Sequence, residues 1–202
     1  MPGVWTRNFF NLLTAAMYCD DTTASSTAPS SYDPPLRARG INGAWKQINL
    51  NGSTYQNPAI EAITGKGGVA LQTASHIPIA GYNLSIALGS SSAPATYEDY
   101  NVGTLITSGF SIANAVTQST AYDSDTHVIS SKRAVTITRT AAGSATVGEF
   151  GIFAPILSAG GSDYTPTLVY HEVFETPYTL EQGESLIITL NKGGEVFNYT
   201  PY

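Results

Sequence analysis

Three histidines, one cysteine and a thin scatter of carboxylates are the groups in this 202-residue sequence with the means to do chemistry. The histidines are His76, His127 and His171. A Ser-His-Asp relay needs a serine on a sharp turn, a base and a carboxylate that orients it. Serine is too abundant here to single one out, and no G-x-S-x-G elbow is present. His171 lies between Tyr170 and Glu172 in a β-like stretch, with Val169 and Val173 as its alternation partners. That spacing puts it on a semi-buried strand face, hydrogen-bonded across a sheet. Glu149, Glu172 and Glu175 invite comparison with the carboxylate pair of a glycosidase. The 15 acids are scattered, however, and no aromatic-lined groove is legible around them. The expectation is that Glu149 pairs across adjacent strands with His171 or with Arg139, and that no residue is catalytic.

Other suggestive spacings lead to bland readings. Asp123-Ser124-Asp125 lacks the glycine and terminal glutamate of a calcium loop and reads as a surface turn. Lys66-Gly67-Gly68 and Lys192-Gly193-Gly194 lack the phosphate-loop spacing and read as hairpin turns or strand exits. Asn51, Asn83 and Asn198 begin glycosylation sequons, taken as chance matches without a secretory signal. Cys19 stands alone, so neither an intrachain disulfide nor a cysteine-based zinc site is expected. No cofactor, metal or catalytic site is expected.

The elements that would hold these groups are mostly strands. Hydrophobic residues make up 42% of the chain, enough for a core, while charged residues make up 12%, about half the usual share. Ser, Thr, Ala, Gly and Asn fill the difference, giving a neutral, β-compatible surface. A net charge of −6 with nine dispersed Lys and Arg argues against nucleic acid as a primary partner. No apolar run reaches the length of a membrane span, and the first residues do not read as a signal peptide.

Residues 4–19 carry the one convincing helical pattern, with Trp5, Phe9, Leu12, Leu13, Ala16 and Met17 at helical spacing. A Ser/Thr/Ala/Pro-rich linker follows at 20–40, then an extended piece at 41–66 with a turn at Asn51-Gly52. From about residue 69 the chain reads as strands: 82–89, one or two within 102–116, 126–141, 145–157, 167–175 and 184–191. Turns are signalled at Ala142-Gly143, Gly160-Gly161, Gln182-Gly183 and Gly193-Gly194. In 145–157 the glycines of Gly148-Glu149-Phe150-Gly151 permit close backbone approach, with Phe150 and Ile152 entering the core and Glu149 on the other face. This is an all-β chain, expected to be a β-sandwich of jelly-roll-like type. Its expected organisation is an N-terminal helix and extended arm over 1–68 and a sandwich with a C-terminal tail over 69–202.

Four pieces occur in a fixed order. The first is a strand ending in glycine, a small/Pro turn and an acidic Tyr segment, SIALGSSSAPATYEDYNVGTLI. A long strand, HVISSKRAVTITRTA, comes next, then Gly148-Glu149-Phe150-Gly151-Ile152-Phe153. The last is a strand with a polar centre running into a Gln-Gly-Glu-Ser-Leu hairpin, LVYHEVFETPYTLEQGESLIITL. Their order and spacing over 82–191 resemble a pattern recurring in tailed-bacteriophage virion structural proteins. The resemblance implies a non-enzymatic component of the head or neck, such as a decoration, minor capsid or collar protein. The alternative is a tail component or a carbohydrate-binding receptor module at a tail tip. The implied partners are copies of the chain itself and other virion proteins (capsid, portal, neck or tail), with assembly in the host cytoplasm and residence in the virion. Tyrosine, present in 12 copies, favours interfaces. The candidate assembly contacts are Trp5, Phe9, Leu12, Leu13, Tyr32, Trp45, Phe197, Tyr199 and Tyr202.

Overall fold

Alternation of apolar and hydroxylated residues in 135–138 demands a sheet with one buried face, and the computed structural model contains it. Residues 3–17, 37–47, 85–113, 119–125, 128–157 and 164–195 are described. In chain order the elements are β1 (Val4–Trp5), α1 (Arg7–Met17), β2 (Arg37–Arg39), β3 (Trp45–Gln47), β4 (Ser85–Gly89), β5 (Phe110–Ala113), β6 (Ser119–Asp123), β7 (Val128–Arg139), β8 (Ala145–Leu157), β9 (Tyr164–Leu180) and β10 (Ser185–Glu195). The chain is thus mostly strand with one short helix among the described residues, in antiparallel sheets. It divides into two units, each interleaved in sequence: 1–108 with 145–179, and 109–144 with 180–202.

The first unit carries a sheet of order β1-β9-β8-β4 and the two-stranded ribbon β2-β3. β8 is an interior strand buried on both faces. Val147, Glu149 and Phe153 are fully buried on one face, and Phe150 and Ala154 are buried on the other. On the first face Phe153, Ala87 and Leu168 form a cluster that Ile41 and Leu105 cover. On the second, Phe150 lies 6.0 Å from the Tyr170 ring and 5.7 Å from that of Phe174. Each such aromatic contributes about 1.5–3 kcal/mol through its burial.

Helix α1 is fixed to this unit by polar groups as much as by Leu12, which is fully buried. The Asn8 side chain works like a neighbouring strand: its Nδ2 donates to the Arg39 carbonyl at 2.8 Å, and its Oδ1 accepts the Arg39 amide at 2.6 Å. Asn11 donates to the Arg37 carbonyl at 2.5 Å. The edge of β2 is thereby covered by a helix rather than left open. The helix starts where tertiary bonds begin. Thr6 donates its amide to the Val169 carbonyl and its hydroxyl to that of Leu168, and the Arg7 amide donates to the Tyr97 carbonyl.

The second unit is built on β7. β10 lines one side of it from Ser185 opposite Thr138 to Glu195 opposite Val128. β5 and β6 share the other side as one interrupted strand, Phe110 facing Arg139 and Asp123 facing Val128. Val135, Ile137 and Ile188 are buried, while Thr136 and Thr138 are half-buried and Ile187 is exposed. The Arg139 guanidinium donates to the carbonyls of Gly109, Ala142 and Gly143 and lies over the Phe110 ring, closing the β7 end.

Several expectations shift. The helix is shorter than 4–19, because Val4 and Trp5 pair with His171 and Tyr170 as a strand. Arg37–Arg39, read as the end of a linker, is strand β2, and Gly40 bridges Thr167 of β9. The contacts put α1, β2 and β3 in one unit with β4, β8 and β9. Gly193 and Gly194 form no turn: they continue β10 opposite Ser130 and Ile129, since strand pairing needs only the backbone. Ile152 is half-buried where Glu149 is fully buried, so the polar residue is the deeper of the two. The turns at Gly143 and Gly183 are present, both with positive φ. Asn51-Gly52, Gly160-Gly161, most of the 20–40 linker, His76, His127 and Cys19 lie outside the described residues.

Candidate functional site

Between β4 and β5 the chain runs from Ser90 to Gly109 without a named strand or helix. A stretch that long inside a packed unit needs something to hold it. Its two stems are set by the sheet: the Ser90 amide donates to the Thr104 carbonyl, the Ile106 amide to that of Leu88, and Leu105 bridges Gly89. Gly89 stands directly opposite Glu149 on β8. A methyl at Gly89 would meet Glu149 Oε1 at 2.1 Å, so the missing side chain there is the space into which the carboxylate folds.

Glu149 spends each oxygen differently. Oε1 accepts the backbone amides of Ser91 at 3.2 Å and Thr104 at 3.0 Å, one from each stem. Oε2 faces His171 Nε2 at 2.7 Å. His171 projects from β9, and its Nδ1 faces Asp99 Oδ2 at 2.7 Å. Asp99 in turn organises the middle of the loop: it accepts the Thr96 amide at 2.7 Å and the Thr96 hydroxyl at 2.6 Å, while its own amide donates to the Thr96 carbonyl. Ionised carboxylates only accept hydrogen bonds, so a ring between two of them satisfies both by carrying both protons. His171 is therefore an imidazolium donating in two directions.

Burial separates the three. Glu149 is 0% and His171 3% exposed, whereas the Asp99 side chain keeps 24% of its surface in solvent. Desolvation pushes the Glu149 carboxyl up. The His171 hydrogen bond, the Thr104 and Gly103 amides and the His171 charge outweigh it and hold the carboxyl below its ordinary value. Desolvation pushes His171 down, and the hydrogen bonds and charges of Glu149 and Asp99 outweigh it, so its pKa is raised. No buried side-chain nitrogen or oxygen among the described residues lacks a partner. That completeness is what lets a buried ion pair stabilise rather than destabilise.

The chemistry available is limited by the same geometry. With a proton on each nitrogen and a carboxylate on each proton, His171 has no lone pair with which to take a proton from a substrate. The ring lies between the acids, not beside them, and among the described residues no group of three or more His, Cys, Asp or Glu is arranged to hold a metal ion. Glu172 takes a separate role on the opposite face, accepting a hydrogen bond from the Tyr170 hydroxyl at 2.6 Å. With Tyr170 desolvated and beside that carboxylate, its phenol titrates far above the ordinary range.

Of the two partners expected for Glu149, the structure selects His171; Arg139 is occupied by backbone carbonyls. Asp99 was missed. It stands 72 residues from His171, in a segment whose composition reads only as loop. The candidate assembly contacts fare unevenly. Leu12 is fully buried within its own unit and Leu13 half-buried, because the helix packs on β2. Trp5 is 43% and Trp45 42% exposed. Phe9 stacks at 4.3 Å on Trp5, which also meets Tyr170 edge-on at 5.0 Å. Tyr32, Phe197, Tyr199 and Tyr202 lie outside the described residues. Asp123-Ser124-Asp125 is an exposed turn, the Asp125 amide donating to Asp123 Oδ1.

Comparison of the chain with protein-family models, with curated proteins and with solved structures gives no match. Among the described residues no helix is long and apolar enough to cross a membrane.

Proposed function

We propose that the chain is a non-enzymatic structural component of a bacteriophage particle, a jelly-roll-like β-sandwich that assembles in several copies at the head or neck. One observation carries this reading. Three of the pieces on which the virion resemblance rests meet at one place. The strand ending in Gly89 and the acidic Tyr segment bearing Asp99 belong to the first piece, Glu149 to the Gly-Glu-x-Gly segment and His171 to the polar-centred strand. In the fold they make a buried fastener that ties a long loop to a sheet. A shared pattern whose residues lock a scaffold suits a protein whose task is to keep its shape in an assembly. The same residues, with both imidazole nitrogens engaged and two of the three groups out of solvent, do not suit turnover of a substrate.

The test is composition of the particle. Phage particles carrying the gene for this chain are purified and examined by quantitative mass spectrometry and electron cryo-microscopy. The reading expects the chain at a fixed copy number, with density at the head or neck. A chain abundant in the lysate and absent from the particles overturns it.

A further inference from the structure

The first unit also presents a surface that its packing does not consume. Of the seven large hydrophobic side chains that are exposed among the described residues, four (Trp5, Phe10, Trp45 and Tyr97) belong to this one surface. Ring contacts link Trp5 to Phe9, Phe9 to Phe10 at 5.4 Å, and Phe10 to Tyr97 at 6.0 Å. Arginines are laid across the neighbouring rings. Arg7 stands 5.2 Å over Trp45, and Arg39 stands 4.0 Å over Tyr100 and 6.0 Å from Trp45. Arg7 also faces Glu98 at 3.4 Å, an exposed pair that is easily exchanged.

Charge says what such a surface receives. The chain is acidic, yet Arg7 of α1 and Arg39 of β2 stand against the rings of this surface, and Arg37 lies two residues from Arg39 on the same strand. The complement is in the same chain. Residues 140–191 contain no Lys or Arg, and the end of β9 with the turn into β10 reads Glu175-Thr176-Pro177-Tyr178-Thr179-Leu180-Glu181-Gln182-Gly183-Glu184. Glu175, Glu181 and Glu184 are exposed, and Tyr178 is 47% exposed. Arg39 donates its Nε to the Gly43 carbonyl at 2.9 Å, which leaves its terminal nitrogens for a carboxylate, and exposed rings supply the desolvated centre that interfaces need.

We propose that the Arg7/Arg39/Trp45 surface of one copy receives the acidic Glu175–Glu184 segment of a second copy. The two surfaces differ, so the contact is head-to-tail and propagates into a ring or a filament rather than a closed two-fold dimer. This inference rests on the proposed assembly of several copies and names the surfaces that make it.

Sedimentation velocity of the full chain, from micromolar to submillimolar concentration, tests it. The wild type is expected to form species larger than a dimer that shrink as salt rises. Arg7→Ser/Trp45→Ser and Glu175→Lys/Tyr178→Ser are each expected to lose association by about thirtyfold or more. Mixed in equal amounts, the two variants retain one good surface each and give a 1:1 heterodimer that grows no further. That heterodimer also shows that both variants are folded. A wild type that stays monomeric overturns the inference, as does a two-fold dimer that neither variant disturbs. A monomeric wild type that binds a glycan array through Trp45 overturns it in favour of a carbohydrate partner. A monomeric chain that is present in particles sinks this inference alone, whereas a self-associating chain absent from particles sinks only the proposed function.

Discussion

In the first unit the interior of the sheet holds a carboxylate and an imidazolium; in the second it holds Val135, Ile137 and Ile188. Both interiors line antiparallel sheets, but they do different jobs. β7 is paired along both sides, by β10 on one and by β5 and β6 on the other. β8 must also hold down a loop that runs from Ser90 to Gly109. Apolar side chains bury surface without direction. A carboxylate that accepts two amides and an imidazolium fixes where three backbone segments lie, and it does so with angular preference. The difference teaches that charge enters this core where position has to be specified.

The largest effect that separates the units should come from Glu149→Ala. It leaves buried His171 without its inner carboxylate and removes the acceptor of the Ser91 and Thr104 amides, at a cost of about 3–5 kcal/mol in chemical denaturation. Ile137→Val, which trims a fully buried side chain of the second unit, should cost about 0.5–1.5 kcal/mol. Equal effects would erase the comparison.

Gly89→Ala should cost about 1–3 kcal/mol, because its methyl would collide with a Glu149 carboxylate whose oxygens are already committed. Suppression of that loss in a Gly89→Ala/Glu149→Ala double variant would sharpen the point. Independent, additive losses would show that the close approach is irrelevant.

The pH dependence should belong to the first unit. His171 has a raised folded pKa, so its contribution is complete below its ordinary 6.5 and is lost as pH climbs through the raised value. Glu149 has a lowered folded pKa, so its contribution is complete above its ordinary 4.5 and fades as pH falls through the lowered value. The network therefore stabilises most between about 4.5 and 6.5. Amide exchange of the Ser91 and Thr104 N–H groups, followed against pH, reads this directly. Protection that grows as pH rises past the raised value, after correction for intrinsic exchange, would contradict it.

The smallest effect is Gly183→Ala in the second unit. The site is open, and the cost is only that of a methyl at φ 89°, about 1 kcal/mol. Thermal melts measure it; a loss as large as that at Gly89 would mean that packing, not backbone conformation, decides there.

How much of this was legible follows from what each feature depends on. Strands over 126–141 and 184–191 were readable because alternation has period two and the turns at Gly143 and Gly183 carry their own chemistry, whereas the continuation of β10 through Gly193 and Gly194 was not, because pairing there uses the backbone alone. Val147, Phe150, Phe153 and Ala154 bury both faces of β8 where the sequence is nearly all apolar between its glycines, and the pairing of Glu149 with His171 was one of two cross-strand options. The start of α1 was not readable, because Thr6 and Arg7 donate to carbonyls at 168, 169 and 97, which sequence proximity does not announce. Nor was the role of Asn8, a polar residue on the buried side of an apolar helix whose amide completes the edge of β2.

The amino-acid sequence by itself determined the all-β character, the long strands, the turns at Gly143 and Gly183 and the one helix among the described residues, since each is set by periodicity and local backbone preference. Only the tertiary structure decided that Asp99 would join Glu149 and His171, and that Trp5, Trp45 and Tyr97 would share one surface with Arg7 and Arg39. These are meetings between residues tens of positions apart. They depend on which strands become neighbours and on how a loop folds back, and no local spacing encodes that.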